Sequence, residues 1–301
     1  ASAQEKTLVA PAELDHGFWK NTSELCSAPW WKLKSKSSPL EVTHLRGKSP
    51  RSGGTALFFS GGVDSFYMLH ERLGEVTLLV NVHGFDVDLQ DSDRARKMRE
   101  LLYRTGAALN IPIVTVRTNI RSHPFFNSLG WGEYTHVSAL AMVAHSLKEH
   151  ASTFLVAGTG YNIREGPWGT HPDMDPLWGG GDLRLISDNA TRIEKVRALS
   201  GWPLAIANLK VCWENRSKDL NCGKCDKCLK TELAFLVFGV RLPQFPREPV
   251  ESRLDASSNP PPGKYSVIHW KEILALSNGP LEQQILEHCG AAVEGYEDIT
   301  A

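Results

Sequence analysis

The chain contains a short glycine-rich segment, Ser-Gly-Gly-Val-Asp-Ser at residues 60–65, whose residue types suit the binding of phosphate. It follows an apolar run of β-strand type at residues 55–59 and opens a run of helical type at residues 65–73. Glycine lets the backbone pass close to an anion, and the N-terminus of the following helix adds a positive end. Asp64 can orient the loop or help to hold Mg²⁺. The alternative interpretation is a Gly-Gly turn in which serine or aspartate caps the helix.

A second group of residues has the spacing of metal ligands. Four of the six cysteines lie close together in the sequence: Cys212, Cys222, Cys225 and Cys228. Cys-x2-Cys turns suit tetrahedral coordination by four sulfurs, and the clustering is typical of metal binding rather than of a disulfide framework. We expect Zn²⁺, and an iron–sulfur cluster is the alternative because it uses the same spacing. The remaining cysteines, Cys26 and Cys289, stand alone.

The composition is that of an ordinary globular protein. The chain has 301 residues, of which 42% are hydrophobic and 22% charged, and its formal net charge is -1. A charge so close to zero gives no overall attraction to nucleic acid or to a membrane surface. No apolar run has transmembrane length and the first residues lack a signal-peptide pattern, so we expect a cytoplasmic protein.

Strand and helix patterns alternate from residue 55, which is typical of a parallel sheet with crossover helices. Short apolar runs predict strands at residues 55–59, 76–82, 111–116, 153–157 and 204–207. Helical periodicity predicts helices at residues 92–109, 137–147, 192–199, 230–238, 271–276 and 281–288. Asp91 or Ser92 can cap the first of these helices.

An irregular segment rich in glycine and proline, at residues 158–182, interrupts this alternation. Such long insertions in a compact domain are usually functional or disordered, and we predict a lid that orders when ligands bind. Its predicted substrate-facing groups, together with one aspartate just beyond it, are Trp168, His171, Asp173, Trp178 and Asp188. They could bind Mg²⁺, orient a substrate amine or cover a planar group, and the alternative is a polar surface loop.

The loop at residues 60–65 resembles the pyrophosphatase loop, or PP-loop, of the N-type ATP pyrophosphatase superfamily. Cys212-Trp213 followed by Cys-Gly-Lys-Cys-Asp-Lys-Cys-Leu-Lys from residue 222 resembles the zinc segment of the 7-cyano-7-deazaguanine synthase family. The two resemblances together cover residues 55–238. The family carries a lysine in the helix ahead of its last strand, where Arg192 or Lys195 is the nearest equivalent here.

The resemblance implies a doubly wound α/β fold of the adenine nucleotide alpha hydrolase (HUP) type, with a C-terminal zinc knuckle and a helical tail. It implies catalytic roles for Asp64, Ser65 and Arg192. The second strand would place its end against adenine, where a glycine suits close approach. The predicted ATP-binding residues are Ser60, Gly61, Gly62, Val63, Asp64, Ser65, Val82, Gly84 and Gly158.

The implied activity is that of a ligase that forms AMP and pyrophosphate. A carboxylate, amide or carbonyl oxygen of a small molecule attacks the α-phosphate of ATP, pyrophosphate leaves into the loop with Mg²⁺, and a nucleophile displaces AMP. We expect ammonia or an amine as the nucleophile, with sulfur transfer to an adenylated nucleobase or amide as the alternative. A nucleotide-binding module without turnover is a further alternative. The expected partners are the small-molecule substrate, a separate protein that donates ammonia or sulfur, and a second copy of the chain in a homodimer.

The predicted organisation follows from these motifs. Residues 1–50 form an N-terminal extension that packs on the main domain, and residues 51–210 form the PP-loop ATP pyrophosphatase domain. Residues 211–240 form the zinc-binding segment, and residues 241–301 form a Pro-rich linker and C-terminal helices. The first 50 residues are too few for a glutaminase domain, so we expect free ammonia or an amine to be used directly.

Overall fold

The fold is described from a computed structural model of the chain. The described residues are 8–10, 13–28, 40–42, 45–46, 53–128, 130–158, 170–254 and 264–289. The chain forms two compact units. The first unit comprises Ala1–Ser60, Tyr67–Gln90 and Gly106–Thr191, and the second comprises Gly61–Phe66, Asp91–Thr105 and Arg192–Ala301.

The strands among the described residues are β1 (Leu8–Ala10), β2 (Leu14–Asp15), β3 (Leu40–Val42), β4 (Leu45–Arg46), β5 (Thr55–Phe58), β6 (Leu78–His83), β7 (Ile113–Arg117), β8 (Thr153–Val156) and β9 (Arg184–Ser187). The α-helices are α1 (His16–Ser27), α2 (Val63–Glu71), α3 (Ser92–Leu109), α4 (Pro124–Ser128), α5 (His136–Ser146), α6 (Arg192–Leu199), α7 (Pro203–Asn208), α8 (Asp226–Val237), α9 (Lys264–Leu274) and α10 (Gly279–Cys289). Short 3₁₀ helices occur at Ile120–Ser122, Asp175–Trp178 and Val250–Arg253, and a π-helical turn occurs at Trp131–Thr135.

The first unit is built on a five-stranded sheet in the order β7-β6-β5-β8-β9, with all strands parallel. Leu57 of β5 lies opposite Leu79 of β6 on one side and Leu155 of β8 on the other. From β5 the chain adds β6 and then β7 on one side of the sheet, and it then adds β8 and β9 on the other side. The direction of winding therefore reverses between β5 and β8. In open α/β sheets, ligands bind outside the carboxyl ends of the strands at such a reversal.

The core of the first unit explains why these runs form strands. Residues of β5 and β8 are almost wholly buried, and helix α5 presents Leu140, Ala141 and Ala144 to one face of the sheet. The rings of Phe58 and Phe154 lie 5.6 Å apart within this layer. Each such large apolar side chain contributes roughly 1.5–3 kcal/mol when it leaves water. The predicted α/β class with a parallel sheet is confirmed.

One predicted strand is wrong. Residues 204–207 lie in helix α7, and the fifth strand of the sheet is β9. Pro203 takes the first turn of α7, where its missing N–H costs no hydrogen bond, and alanine favours the helix. A short apolar run is consistent with a buried strand or a buried helix, so its periodicity could not decide between them.

The segment at residues 1–50 is described only in part, and helix α1 is its main described element. Asp15 caps α1 by accepting a hydrogen bond from Phe18 N, and it also accepts one from Gly181 N at 2.7 Å. Asn21 donates to the carbonyl of Gly179 at 3.1 Å. Helix α1 therefore packs on the rest of the first unit through the segment that precedes β9.

The second unit is mainly helical. Helix α9 packs against α8, α6 and α10, and Trp270 and Ile273 are buried in these contacts. Helix α3 begins where it was predicted to begin, because Asp91 accepts a hydrogen bond from Arg94 N at 2.9 Å. None of the described helices is both long enough and apolar enough to cross a membrane.

Candidate functional site

The glycine-rich loop joins β5 to α2. Gly61 has φ 75°, in the left-handed region that favours glycine, and its carbonyl accepts a hydrogen bond from Lys210 N at 2.8 Å. Val63 is buried, and helix α2 starts at this residue directly after the second glycine. Ser65 is also buried, and its hydroxyl donates to the carbonyl of Gly62 at 3.1 Å. The strand–turn–helix arrangement predicted for this segment is confirmed.

Asp64, in the first turn of α2, is held between two cations of helix α6. Its Oδ2 lies 3.0 Å from Nη2 of Arg192, and its Oδ1 lies 3.2 Å from Nζ of Lys195. The side chain of Lys195 has no exposed surface, and that of Arg192 is 14% exposed. One helical turn separates the two cations, so both can reach one carboxylate. Both residues named as equivalents of the family's lysine therefore contact the loop.

The charge state of Asp64 follows from these neighbours. Burial by itself would raise the pKa of Asp64, but the charges of Arg192, Lys195 and Lys227 and the hydrogen bond from Lys195 hold it well below its usual range. Asp64 is therefore a carboxylate at neutral pH. We call Arg192, Lys195 and Lys227 the cationic cluster. It has three positive charges around one negative charge, and it can attract a multiply charged anion.

The four clustered cysteines form a compact group of sulfurs in the second unit. Their Sγ atoms all lie within 4.8 Å of one another, and all four residues are buried. The distances are 3.9 Å from Cys212 to Cys225 and 3.8 Å from Cys222 to Cys228. A tetrahedral Zn²⁺ with Zn–S bonds of about 2.3 Å has sulfur–sulfur edges of about 3.8 Å, so these residues fit the ion. Cys225 N donates to the sulfur of Cys222, as is common at such turns.

Two side chains, Asn221 and Arg94, hold the cysteine segment. Asn221 accepts hydrogen bonds from the backbone N–H groups of Val211 and Cys212, which fixes the backbone at the first cysteine. Arg94 of α3 donates to the carbonyls of Asn215, Ser217 and Asp219, in the loop between the first and second cysteines.

The Pro-rich segment after α8 also packs on the cysteines. Gly223 has φ 65°, and a Cβ there would meet Pro246 at 2.4 Å. Arg253 donates to the carbonyl of Gly223 and lies 2.6 Å from the carboxylate of Glu232. Pro246 and Arg253, from the segment predicted to hold a Pro-rich linker and C-terminal helices at residues 241–301, therefore pack against the cysteine turn.

In the first unit, the predicted nucleotide-binding residues lie at the carboxyl edge of the sheet. Ser60 follows β5, Val82 and Gly84 lie at the end of β6, and Gly158 follows β8. A Cβ at Gly84 would meet the carbonyl of Thr118 at 1.9 Å, and one at Gly158 would meet the carbonyl of Asp188 at 1.9 Å. A side chain at either position would clash with the neighbouring backbone, so both residues must be glycine for packing alone, whether or not they also contact a ligand.

An acidic cluster lies beside Gly158. Asp188 accepts from the N–H of Gly158 at 2.8 Å, and Asp175 accepts from the N–H of His171 at 3.1 Å. Burial raises the pKa of Asp175 to about 7; the hydrogen bond from the His171 N–H opposes this shift, and the charge of Asp188 adds to it. Asp175 is therefore close to half protonated at neutral pH. We call Asp175 and Asp188 the acidic cluster.

The predicted lid residues have different environments. His171 is buried, and burial lowers its pKa despite the nearby charge of Asp173. The side chain of Asp173 is 76% exposed, so the buried carboxylate of this stretch is Asp175. Trp178 packs against the hydrophobic core, and its carbonyl contacts His145. Trp168 lies outside the described residues, as do all of residues 159–169 of the predicted lid.

The sequence analysis missed several groups at these sites. Lys227 and Asp175 are not among the site residues predicted from the sequence. His269 and Glu272 of α9 were not considered, because no motif marks that helix. Polar residues at positions 266, 269 and 272, three residues apart along the helix, are the signal that could have found them.

The described residues thus contain a five-stranded parallel α/β sheet and a buried cluster of four cysteines whose geometry fits a zinc ion. No model of a known protein family matches the chain, and a comparison with curated proteins found no match.

Proposed function

We propose that the chain is an ATP pyrophosphatase of the PP-loop type, which adenylates an oxygen of a small molecule and then replaces AMP by a nitrogen nucleophile. In this proposal the sheet belongs to the adenine nucleotide alpha hydrolase class, and the four cysteines form a zinc knuckle like that of the 7-cyano-7-deazaguanine synthase family. The observation that carries the proposal is Asp64, held by Arg192 and Lys195 at the start of the helix after Gly61-Gly62.

The chemistry expected of this loop is the stabilisation of negative charge. As the bond between the α- and β-phosphates breaks, charge accumulates on the leaving pyrophosphate. Backbone N–H groups at the start of α2 and the cationic cluster can stabilise that charge without rearrangement, since the cluster is already assembled on Asp64. Asp64 keeps Arg192 and Lys195 in position until the anion binds.

Zinc and magnesium have separate roles in the proposal. Zinc on Cys212, Cys222, Cys225 and Cys228 would supply folding energy, because a four-sulfur site leaves no open position for a substrate. The oxygens of Asp64 already contact Arg192 and Lys195, so the loop does not by itself form a magnesium site. Magnesium enters only as the ion that accompanies ATP.

The two remaining cysteines favour a nitrogen nucleophile over a sulfur carrier. Burial raises the pKa of the Cys26 thiol, and burial together with the charge of Asp226 raises the pKa of Cys289 to about 12. A thiol that carries sulfur to a substrate needs a lowered pKa, because the thiolate is the reactive form. Ammonia or an amine, delivered directly or by a separate protein, therefore fits the chain better than a persulfide.

The test is ATP-dependent release of pyrophosphate. The purified chain is given ATP, Mg²⁺, ammonium and a panel of small carboxylates and amides, and both pyrophosphate and AMP are measured. Asp64→Asn should lower turnover about 100-fold, because Arg192 and Lys195 lose the charge that holds them where they stabilise the leaving pyrophosphate. Asp93→Asn makes the same change at an exposed position of α3 and should leave turnover unchanged. Equal turnover in Asp64→Asn and the wild type would contradict the proposal.

A further inference from the structure

Helix α9 has an unusual buried face. Val267, Trp270 and Ile273 give it the apolar stripe that packs a helix onto its neighbours. The same helix also buries His269, which is 6% exposed. Burying a polar group costs free energy that its partners must offset, and the charges of Arg192, Lys230, Asp64 and Lys227 act on His269.

Two hydrogen bonds to one carboxylate fix the rotation of α9 against α8. Asp226, the first residue of α8, accepts from the hydroxyl of Ser266 at 2.6 Å and from Nε1 of Trp270 at 2.8 Å. Lys230 Nζ in turn donates to the Ser266 hydroxyl at 2.7 Å. Ser266 and Trp270 are four residues apart, on one face of the helix, so together they prevent it from turning.

The rotation fixed in this way turns His269 and Glu272 towards helix α6. Glu272 accepts a hydrogen bond from the N–H of Ile193 and lies near the charge of Arg192. The imidazole of His269 is within reach of the charges of Arg192, Lys230, Asp64 and Lys227. Helix α9 therefore brings a histidine to the residues that hold the glycine-rich loop.

We propose that His269 is a further residue of the anion-binding site and that its imidazole takes up a proton when pyrophosphate binds to the second unit. This proposal rests on the proposed function, because it takes the cationic cluster as the place that pyrophosphate enters. It assigns to the C-terminal helix a part in ligand binding.

The surroundings of His269 explain the proton uptake. Burial, then the charges of Arg192, Lys230 and Lys227, hold the pKa of His269 well below its usual range, and Asp64 acts in the opposite direction. The imidazole is therefore neutral before the anion binds. Pyrophosphate adds several negative charges and offsets the cations, which raises the pKa and favours the imidazolium. The imidazolium can then donate a charge-assisted hydrogen bond to the anion.

Other titratable groups face the same region and must be separated from His269. Burial raises the pKa of Glu272 to about 7, against the opposing charge of Arg192, so this carboxyl could also take up a proton. The other ionisable groups nearby are Asp64 of α2, Glu194 and Lys195 of α6, Asp226, Lys227 and Lys230 of α8, and His288 of α10, whose ring lies 5.1 Å from that of Trp270.

The experiment is calorimetric titration of the full chain with inorganic pyrophosphate, in two buffers that differ in ionisation enthalpy. The difference in apparent binding enthalpy gives the number of protons taken up. Ionisation of pyrophosphate itself contributes to every variant, so the comparison between variants is the measurement. His269→Gln should take up about one proton fewer than the wild type and bind about tenfold more weakly. Glu272→Gln and the control His288→Gln should keep the wild-type proton count.

Each outcome decides the question. If wild-type protein does not bind pyrophosphate, both the proposed function and this inference are overturned. If the wild type binds but His269→Gln has the same affinity and proton count, only the inference fails. Loss of proton uptake in Glu272→Gln alone would also overturn it. If His269→Gln does not fold, histidine ring NMR of the wild type replaces it, because one ring should change from the neutral to the imidazolium form on addition of pyrophosphate.

Discussion

Asp64 in the second unit and Asp175 in the first unit carry the same side chain in opposite surroundings. Asp64 is surrounded by Arg192, Lys195 and Lys227, which hold its pKa well below the usual range. Asp175 is fully buried and has Asp188 for a neighbour, and its pKa is raised to about 7. Burial acts in the same direction on both carboxyls, so the charges beside them decide the outcome.

This difference indicates two kinds of chemistry. The cationic cluster has an excess of positive charge that a phosphate group can use. The acidic cluster holds a carboxyl that exchanges its proton near neutral pH, which is the range required of a general acid or base. The protein therefore has a cluster of positive charge in one unit and a carboxyl that exchanges its proton near neutral pH in the other.

The largest expected effect comes from removing the metal. Cys225→Ser should abolish binding of one Zn²⁺ per chain, lower the melting temperature by roughly 10 °C and weaken pyrophosphate binding. Pyrophosphate binding should weaken because Lys227, a member of the cationic cluster, lies between the metal ligands Cys225 and Cys228 and would lose its fixed position without the metal. Metal analysis, thermal unfolding and calorimetry test this prediction.

Cys26→Ser is the matched control for that variant, because Cys26 is a half-buried cysteine of helix α1 in the first unit. It should keep the metal and the affinity for pyrophosphate. Iron with labile sulfide in the wild type, or no metal in protein purified under reducing conditions, would contradict the zinc assignment.

The next effect tests the cationic cluster directly. Lys195→Met removes a fully buried charge that lies 3.2 Å from Asp64, and it should weaken pyrophosphate binding by about 10- to 100-fold. Lys148→Met removes a lysine that pairs with Asp182 at 3.0 Å in the first unit and should leave that affinity unchanged. If Lys195→Met and Lys148→Met bind pyrophosphate equally well, the cationic cluster of the second unit has no special part in binding this anion. The dissociation constant is measured by calorimetry.

The smallest effect tests the acidic cluster through the pH dependence of stability. Folded Asp175 keeps its proton up to about pH 7, whereas the carboxyl of the unfolded chain loses it near pH 4. The folded state therefore binds more protons between these values, and this carboxyl lowers the free energy of unfolding as pH rises through that window, by at most about 4 kcal/mol.

Asp175→Asn removes this titration while keeping an oxygen that can accept the His171 N–H. Its free energy of unfolding, relative to that of the wild type, should rise between about pH 4 and pH 7 and then level off. Urea unfolding at a series of pH values measures it. Asp173→Asn, two residues away and exposed, should follow the wild-type curve. A constant difference between Asp175→Asn and the wild type would show that Asp175 has an ordinary pKa.

The sequence by itself determined the local features of both regions. A β-type run before two glycines predicted the turn, because only glycine adopts the φ of Gly61 at low cost, and Cys-x2-Cys spacing predicted the sulfur cluster. Alternating patterns predicted four of the five strands of the sheet, and Asp91 predicted the start of α3. The turn, the cysteine spacing, the strand patterns and the helix cap each depend on residues that are close together in the chain, so the sequence is enough to predict them.

Only the tertiary structure decided which charges meet. Asp64 and Lys195 are 131 residues apart in the chain, and nothing local indicates that they pair. The same holds for the pKa of Asp175, which depends on burial and on Asp188, and for the pKa of His269, which burial and the charges of Arg192, Lys230 and Lys227 lower. It holds also for β9 and α7, since a short apolar run takes its conformation from the partner it packs against. Long-range packing sets the electrostatic environment of a side chain, and residue type alone does not contain that information.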